Sequence, residues 1–232
     1  MSLADPVPIA NSLLAALPRA EYQRLLPNLR LVNLTFGEIL YEPGEAIKYV
    51  YFPNDSHISL LTPVDHHHAL EVGLVGYEGI VGIGVALGIS ESPVRALVQG
   101  TGVAMRMKAA SFRKEFKQSL SLQRGVHLYI HALMSQVAQT AACNRFHVVE
   151  ARLARWLLMT RDRVHSDEFR LTHEFLGHML GVRRVGVTKA ARALKLRKLI
   201  DYSRGNIVIL NRRGLEAVSC SCYEKVTRKS KR

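Results

Sequence analysis

The sequence lacks the features that define several large classes of protein. Only three of its 232 residues are cysteine, Cys143, Cys220 and Cys222, too few for the disulfide framework of a small secreted domain. This cysteine usage suits a reducing compartment, and we expect a cytoplasmic protein. No apolar run reaches the roughly 18 residues of a transmembrane helix. The N-terminus shows no basic segment followed by an apolar core, so we expect neither a membrane span nor a signal peptide.

Catalytic and metal-binding motifs are also missing. No serine or cysteine has a recognisable base partner and no paired carboxylates form a motif, so the sequence does not predict an enzyme. For Cys220 and Cys222, separated by one residue, a metal or redox role stays open, but incidental thiols are the favoured interpretation. Three consecutive histidines, His66–His68, are interpreted as a solvated hairpin tip, because adjacent histidines seldom converge on one ion. No metal site is therefore predicted.

Acidic residues are scarce in one part of the chain. Residues 1–142 hold 11 Lys/Arg and 11 Asp/Glu and carry no net charge, whereas residues 143–232 hold 21 Lys/Arg and only 8 Asp/Glu. The whole net charge of +13 therefore falls on the C-terminal part. Such a distribution favours a polyanion as partner. A basic surface that serves only solubility is the alternative.

From Leu29 to Met107 the pattern is that of short strands. Apolar and polar residues alternate in short runs, which are separated by turns rich in glycine and proline. Many short strands at close spacing favour an antiparallel β-barrel or jelly roll. Two short helical pieces between Asn11 and Leu26, broken at Pro18, precede this domain.

Near Ala109 the period changes to that of an α-helix. Residues along one line of this helix recur at steps of four and three, which makes a heptad seam: Val126, Ile130, Leu133, Val137, Thr140 and Asn144. Such a seam needs a partner. The helix either packs on its own β-domain or pairs with the same helix of a second subunit, and we favour the second. Thr140 and Asn144 weaken the seam at its far end, where we place a hinge.

The basic part of the chain begins with an amphipathic helix at 148–163. Its apolar side is predicted to face the core of a small C-terminal domain and consists of Leu153, Trp156, Leu157 and Thr160. Its arginines are predicted to face solvent: Arg152, Arg155 and Arg163. Trp156, the only tryptophan, is interpreted as a core anchor and not as a ligand contact.

Residues 171–194 predict two short helices around a tight turn. Thr172 is a suitable N-cap for the first helix, and Gly181 can adopt the left-handed backbone with which that helix ends. The inward stripe of the second helix is Val187, Ala190, Ala191 and Leu194. Two crossed helices of this kind form a helix-turn-helix, whose second helix can enter a DNA major groove. An ordinary helical hairpin with a solvated basic face is the alternative.

The outward face of the second helix carries the predicted DNA contacts. Arginine can donate two hydrogen bonds to guanine, and threonine or valine can touch the methyl group of thymine. The residues predicted to read bases or clamp phosphates are Arg183, Arg184, Val185, Thr188 and Lys189. Two β-rich arms then flank the hairpin turn at 203–206, which adds a wing. Contacts to the DNA backbone are predicted for Thr172, His173 and Arg204.

Taken in order, these elements resemble the Crp–Fnr family of bacterial transcription regulators. The similarity covers nearly the whole chain and is most specific at 149–158 (VEARLARWLL) and 171–194; the segment GEILYEPGE at 37–45 also resembles the family's early β-roll turn. The resemblance implies an α+β protein with an effector-sensing antiparallel β-roll at 1–108, a dimerisation helix at 109–145 and a winged helix-turn-helix at 146–232. It implies a homodimer on a pseudo-palindromic operator, with RNA polymerase as a candidate partner.

The same resemblance implies an effector pocket in the β-roll. In the family's cyclic-nucleotide binders, a Gly–Glu turn contacts the ribose and an Arg–Ser pair ahead of an alanine holds the phosphate. The residues that resemble this turn are Gly76, Tyr77, Glu78 and Gly79. Beside Ala96, however, stand Val94 and Arg95, and Arg95 then points away because neighbouring strand positions face opposite sides. We therefore expect a small-molecule effector other than cyclic AMP, or none.

An iron–sulfur cluster like that of FNR is not expected, because it needs four thiolates and this chain has three cysteines. One alternative function remains: a ligand-responsive β-roll module whose helix-turn-helix docks on protein. A protein-docking surface would not need the whole positive charge in one domain, so the charge distribution argues for DNA.

Overall fold

Two antiparallel sheets form the N-terminal β-roll. A computed structural model describes residues 11–64, 69–164 and 166–230, without the side chains of 228–230; the histidines at 66–68 lie outside these residues. The strands are β1 (Arg30–Leu34), β2 (Ile39–Tyr41), β3 (Tyr49–Pro53), β4 (His57–Pro63), β5 (Ala69–Val75), β6 (Arg95–Gly100) and β7 (Gly102–Lys108). They pair in the orders β1-β7-β3 and β2-β6-β4-β5. Helices α1 (Ser12–Ala15) and α2 (Arg19–Leu25) precede them. The core of the roll includes Phe52, Ile58 and Val98.

A short helix, α3 (Ala109–Gln118), leads into the long helix α4 (Leu120–Phe146). The buried line of α4 steps by four and three as predicted, but it is Leu122, Val126, Tyr129, Leu133, Gln136, Thr140 and Cys143. Three residues of the predicted seam, Ile130, Val137 and Asn144, lie outside this line. Pairing of the seam with a second subunit stays a prediction, while the buried side of α4 packs on β5 of its own roll and on the C-terminal helix. There the Gln136 side chain bonds both backbone groups of Leu74, at 2.6 and 3.2 Å.

The C-terminal domain is a winged helix-turn-helix. Its elements are α5 (Val149–Val164), β8 (Glu168–Arg170), α6 (His173–Leu180), α7 (Arg184–Leu196), β9 (Ile200–Ser203), β10 (Asn206–Ile209), α8 (Arg212–Val218) and α9 (Cys222–Ser230). The strands pair antiparallel in the order β8-β10-β9. The predicted inward stripe of α7 is confirmed, since Val187, Ala190, Ala191 and Leu194 are its buried residues. The predicted α+β fold class is likewise confirmed. In the described part of the chain, no helix combines the length and apolarity that a bilayer span requires.

The prediction that the arginines of α5 face solvent is wrong. Arg152, Arg155 and Arg163 are only 6%, 5% and 6% exposed. Helix α5 lies between α7, α8 and the β-roll, so every side of it meets protein. Arg152 donates to the carbonyl of Leu180, and Arg163 pairs with Glu78 of the roll at 2.6 Å. Buried guanidinium groups need such partners, because an unpaired buried charge is strongly destabilising.

Trp156 joins the two domains. Its indole N–H donates to the carboxylate of Glu71 on β5 at 2.9 Å, and its ring packs in the core of the C-terminal domain. Glu71 also accepts hydrogen bonds from Ser59 and Gln99 of neighbouring strands. Burial raises the pKa of Glu71 to about 7, against the lowering effect of these hydrogen bonds. The tryptophan is therefore a core residue, as predicted, and also a contact between domains.

Candidate nucleic-acid interface

The turn between α6 and α7 is set by two glycines. Thr172 caps α6, because its hydroxyl accepts from the backbone N–H of Phe175 at 3.1 Å. Gly181 ends α6 at φ +60°, a conformation that glycine adopts at low cost. A Cβ at Gly177 would lie 2.8 Å from the carbonyl oxygen of Val182. The chain can therefore turn this sharply only with glycine at 177, and the turn fixes the direction of α7.

The first turn of α7 combines two sources of positive potential. Arg183 is the N-cap, with an extended backbone, and Arg184 is the first helical residue; both side chains are exposed. The first backbone N–H groups of a helix have no partner within it, and the helix dipole adds partial positive charge at the same end. A phosphate or a base edge placed here would meet amide donors and guanidinium groups together.

The outward face of α7 continues this surface. Val185, Thr188 and Lys189 are exposed, opposite the buried stripe. Arg192 is exposed on the same face, and we did not predict it from the sequence. Its spacing of four from Thr188 and three from Lys189 would have placed it there, because such residues are neighbours on a helix.

Thr188 and His173 link α7 to α6 and the wing. The Thr188 hydroxyl donates to the carbonyl of Arg184 and lies 3.0 Å from Nδ1 of His173. Since the hydroxyl proton is used on that carbonyl, His173 donates from Nδ1, and one lone pair of the Thr188 oxygen stays open. The His173 ring stacks on Tyr202, with centroids 4.0 Å apart. Desolvation and the charge of Arg184 lower the pKa of His173, so the ring is neutral at pH 7.

The wing tip brings Arg204 to the start of α6. Arg204 and Gly205 both have positive φ, +48° and +82°, as a two-residue hairpin turn of type I′ requires. The backbone N–H of Leu171 donates to the carbonyl of Gly205 at 2.6 Å, which holds the tip beside Thr172. Arg204 itself is exposed. The three residues predicted to contact the DNA backbone therefore lie on one side of the domain.

The cations of this surface are not neutralised by the protein. Among the described residues, no carboxylate lies within 4.0 Å of the charged groups of Arg183, Arg184, Lys189 or Arg204. Lys195, farther along α7, differs because it pairs with Asp201 at 2.5 Å. Unpaired charges thus lie at the beginning of α7 and at the wing tip. This arrangement suits an anionic partner, because no internal ion pair has to be broken on binding.

The first group of predicted effector residues, Gly76 to Gly79, forms a turn packed by α4 and α5. Glu78 accepts two hydrogen bonds from Arg163, at 2.6 and 2.9 Å. A Cβ at Gly76 would lie 2.6 Å from the Arg163 side chain, and one at Gly79 would collide with the ring of Tyr129. Glycine is therefore needed at both positions for the close approach of these helices.

The second group lies at the start of β6, with Val94 just before the strand, and has different partners. Arg95 pairs with Glu42 at 2.8 Å, Ala96 is fully buried, and the carbonyl of Val94 accepts from Ser92. Tyr77 and Glu78 instead line a cleft of about 1370 Å³ between the β-roll and the C-terminal domain. Among the described residues, the hydrogen bonds and ion pairs thus give the two groups no common partner.

Comparison with known proteins agrees with this architecture. Residues 151–218 match a family model described as a Crp-like helix-turn-helix domain. Comparison with curated proteins gives no significant match. Among solved structures, a crp/fnr-family transcriptional regulator from Eubacterium rectale is 18% identical over 89% of this chain and 97% of its own, with a TM-score of 0.69. FixK2 from Bradyrhizobium japonicum is 15% identical over 83% and 98%, with a TM-score of 0.70.

A CRP-family transcriptional regulator from Thermus thermophilus gives a similar result. It is 17% identical over 81% of this chain and 96% of its own, with a TM-score of 0.67. At such identities these similarities establish the fold. The chain therefore has the Crp/Fnr regulator fold, and its C-terminal part is a Crp-like helix-turn-helix domain.

Proposed function

We propose that this chain, whose Crp-like helix-turn-helix domain spans 151–218, is a sequence-specific DNA-binding transcription regulator. The observation that carries the proposal is the unpaired cationic surface at the start of α7 and at the wing tip. The net charge of +13 in residues 143–232 supports it, because DNA is a polyanion that such a surface attracts over a long range. In this proposal residues 1–108 sense an effector, residues 109–145 dimerise and residues 146–232 bind DNA.

The roles of the surface residues follow from their positions. Arg184, Val185 and Lys189 lie on the exposed side of the helix that would enter the major groove, where they read base edges or clamp phosphates. Thr188 contacts a base edge through the open lone pair of its hydroxyl oxygen. Arg183 at the N-cap binds phosphate together with the free amides of α7. Thr172 and Arg204 beside the wing bind the backbone and set the register, and His173, which donates its ring proton to Thr188, holds that side chain in place.

We propose further that the protein is a homodimer joined through α4. The helix buries one side on its own chain but leaves apolar residues exposed elsewhere, with Leu128 56% and Met134 67% exposed, and Val137 exposed beside them. Pairing of two such faces would remove this apolar surface from water. Two recognition helices would then lie about 34 Å apart, and they would fit half-sites one helical turn apart.

We propose that DNA binding is controlled by an effector that binds in the β-roll. Tyr77 and Glu78 line the cleft between the domains, and Glu78 holds Arg163 of α5. A ligand that binds this turn would change how firmly the C-terminal domain is held on the roll, by as much as its preference for one arrangement allows. Glu78→Gln should therefore change DNA affinity without touching the recognition surface. An affinity equal to that of the wild-type protein would contradict this control.

DNA binding is tested by selecting duplexes from a random pool with the full chain, then measuring affinity by fluorescence anisotropy. We expect a pseudo-palindromic site and an affinity that falls linearly on logarithmic axes as salt rises, because bound counterions are released. Arg184→Ala should weaken binding by about 1–3 kcal/mol, roughly 5- to 150-fold, and relax the preference at one base pair.

The matched control is Arg113→Ala, which removes the same charge from α3, away from the surface. It should leave affinity within about twofold of the wild-type value. A flat salt response, or an Arg184→Ala variant equal to the wild-type protein on every duplex, would remove the basis of the proposal. No DNA binding at low salt would instead favour the alternative, in which the helix-turn-helix docks on protein.

A further inference from the structure

All three cysteines converge at the end of the long helix. Cys143 lies in the last turn of α4, His147 caps that helix, Cys222 begins α9 and Cys220 comes just before it. Their four potential ligand atoms, three sulfurs and one imidazole nitrogen, all lie within 4.8 Å of one another. The three cysteines are buried and are free thiols. The chain thus brings together groups that are up to 79 positions apart in the sequence.

Two of the distances within the cluster are close to those between the ligands of a single tetrahedral ion. A zinc ion holds sulfur at about 2.3 Å and nitrogen at about 2.0–2.1 Å, which places neighbouring ligands about 3.5–3.8 Å apart. Sγ of Cys143 lies 3.4 Å from Sγ of Cys220, and Sγ of Cys222 lies 3.4 Å from Nδ1 of His147. These spacings are much longer than the roughly 2.05 Å of a disulfide bond. Movements of less than about 1 Å would complete a coordination sphere.

The ligand set also selects the metal. Three thiolates and one imidazole are a common structural zinc set, and soft thiolates favour zinc over magnesium or calcium. The usual iron–sulfur clusters instead use four cysteines, or two cysteines and two histidines. Cys143 and His147 are four residues apart at the end of one helix, a spacing that puts both side chains on the same face.

The surroundings fit a metal site as well. The side-chain amide of Gln139, one turn before Cys143, donates to Sγ of Cys222 at 3.0 Å. Such hydrogen bonds orient the ligands of metal sites and stabilise bound thiolates. A zinc ion with three thiolates and a neutral imidazole carries a net charge of −1. Arg155 is buried close enough to act electrostatically on Cys143 and Cys220, so it would balance this charge.

We propose that Cys143, His147, Cys220 and Cys222 bind one structural Zn²⁺ ion. The ligands flank the helix-turn-helix domain, two of them just before residues 151–218 and two just after. The metal therefore joins the points where the chain enters and leaves this domain, and it ties both to α4. This role does not depend on DNA binding, so the two proposals can fail separately.

The metal content of the full chain tests the site. Protein purified without a polyhistidine tag should contain about one zinc ion per chain, as measured by inductively coupled plasma mass spectrometry. His147→Ala and Cys220→Ala should each lower this content at least several-fold. The matched control is His131→Ala, which removes an exposed histidine from the same helix and should keep the full zinc content. Zinc retained in both ligand variants, or equally lost in His131→Ala, would overturn the proposal.

A second measurement does not require a variant to fold. X-ray absorption of the wild-type protein should show about three sulfur ligands near 2.3 Å and one nitrogen near 2.0–2.1 Å. Removal of the zinc with a chelator should expose three thiols to a thiol reagent and lower the melting temperature, and Zn²⁺ alone should reverse both changes. A metal coordinated only by oxygen and nitrogen would overturn the proposal. So would metal-free native protein with a Cys143–Cys220 disulfide.

Discussion

Helices α5 and α7 both contain arginines but use them in opposite ways. Helix α5 holds four arginines and α7 holds two, and both helices belong to the C-terminal domain. In α5 the guanidinium groups of Arg152, Arg155 and Arg163 are buried, and each bonds or approaches a group of the same chain, such as Glu78 or Thr140. In α7 Arg184 and Arg192 are exposed, and no carboxylate of the described residues pairs with them.

The comparison separates structural arginines from those available to a partner. Burial forces the α5 arginines to bond within the chain, since a buried charge without a partner costs several kcal/mol. Exposure leaves the α7 arginines hydrated, so they add little to folding but can exchange water for an anion. Substitutions in α5 should therefore change stability, and substitutions on the outer face of α7 should change only DNA binding.

The largest expected effect comes from Arg163→Met. This change leaves the nearly buried carboxylate of Glu78 without its cation, so the free energy of unfolding should fall by about 3–5 kcal/mol in urea denaturation. The control is the double variant that combines Arg163→Met with Glu78→Gln and so removes both charges. It should be more stable than the sum of the stability losses of the two single variants predicts. Strictly additive losses would show that the pair is not coupled.

A pH dependence of similar size is expected from Glu71, the partner of Trp156 on α5. Its pKa is raised to about 7 in the folded chain, so folding favours the protonated form. Stability should fall as pH rises from about 4.5 to about 7 and then level off, a loss on the order of 3 kcal/mol. Glu71→Gln should lack this component.

The free energy of unfolding is measured across pH 5–8 for the wild-type protein and for Glu71→Gln. The difference between the two curves isolates the contribution of Glu71, because the contributions of the other groups cancel. Buried His57 is the main group of opposite sign. Its pKa is lowered to about 3 by burial and by the charge of Arg163, so it destabilises the fold as pH falls below about 6.5. A wild-type-minus-variant curve that is flat with pH would refute the raised pKa.

A smaller effect is expected at the turn that aims α7. Gly177→Ala would place a Cβ 2.8 Å from the Val182 carbonyl, so the backbone must shift, at about 1–3 kcal/mol, and DNA affinity should fall as well. Gly186→Ala is the control within α7. Its Cβ would meet only the Val182 side chain at 3.9 Å, and removing a helical glycine should stabilise by about 0.5–1 kcal/mol. Equal losses in both variants would mean that the turn is not sterically constrained.

The smallest effect on folding is expected for Arg184→Ala. The side chain is exposed and has no ion pair among the described residues, so the free energy of unfolding should change by no more than about 0.5 kcal/mol. Its melting curve should overlay that of the wild-type protein even though DNA binding is weakened. A large loss of stability would place Arg184 with the structural arginines of α5 and end the distinction between the helices.

Sequence periodicity predicted the elements that depend on local patterns. The inward stripe of α7 and the glycine that ends α6 follow from helical spacing and from backbone sterics, both of which act over a few residues. The same reasoning failed for the arginines of α5 and did not show which side of α4 is buried by its own chain. A helix pattern shows which side is most apolar, but not whether a third element covers the polar side, as the β-roll does at Arg163.

Local similarity could not show the contacts of the predicted effector turn. The turn at Gly76 to Gly79 resembles a ligand-binding turn, but its carboxylate is held by Arg163, 85 residues later in the chain. The cysteine cluster shows the same limit, because Cys143 and Cys220 meet across 77 residues. Cys143 and His147 share a helical spacing of four, a local signal that could have been combined with the close spacing of Cys220 and Cys222.

The amino-acid sequence alone determined the class of fold, the asymmetric charge and the exposed arginines at the start of α7, because each depends on composition or on short-range helical geometry. Only the tertiary structure decided which arginines are internal and which side of α4 is buried. It also decided that three cysteines and a histidine meet, because these outcomes depend on contacts between segments far apart in the chain, which no local pattern encodes.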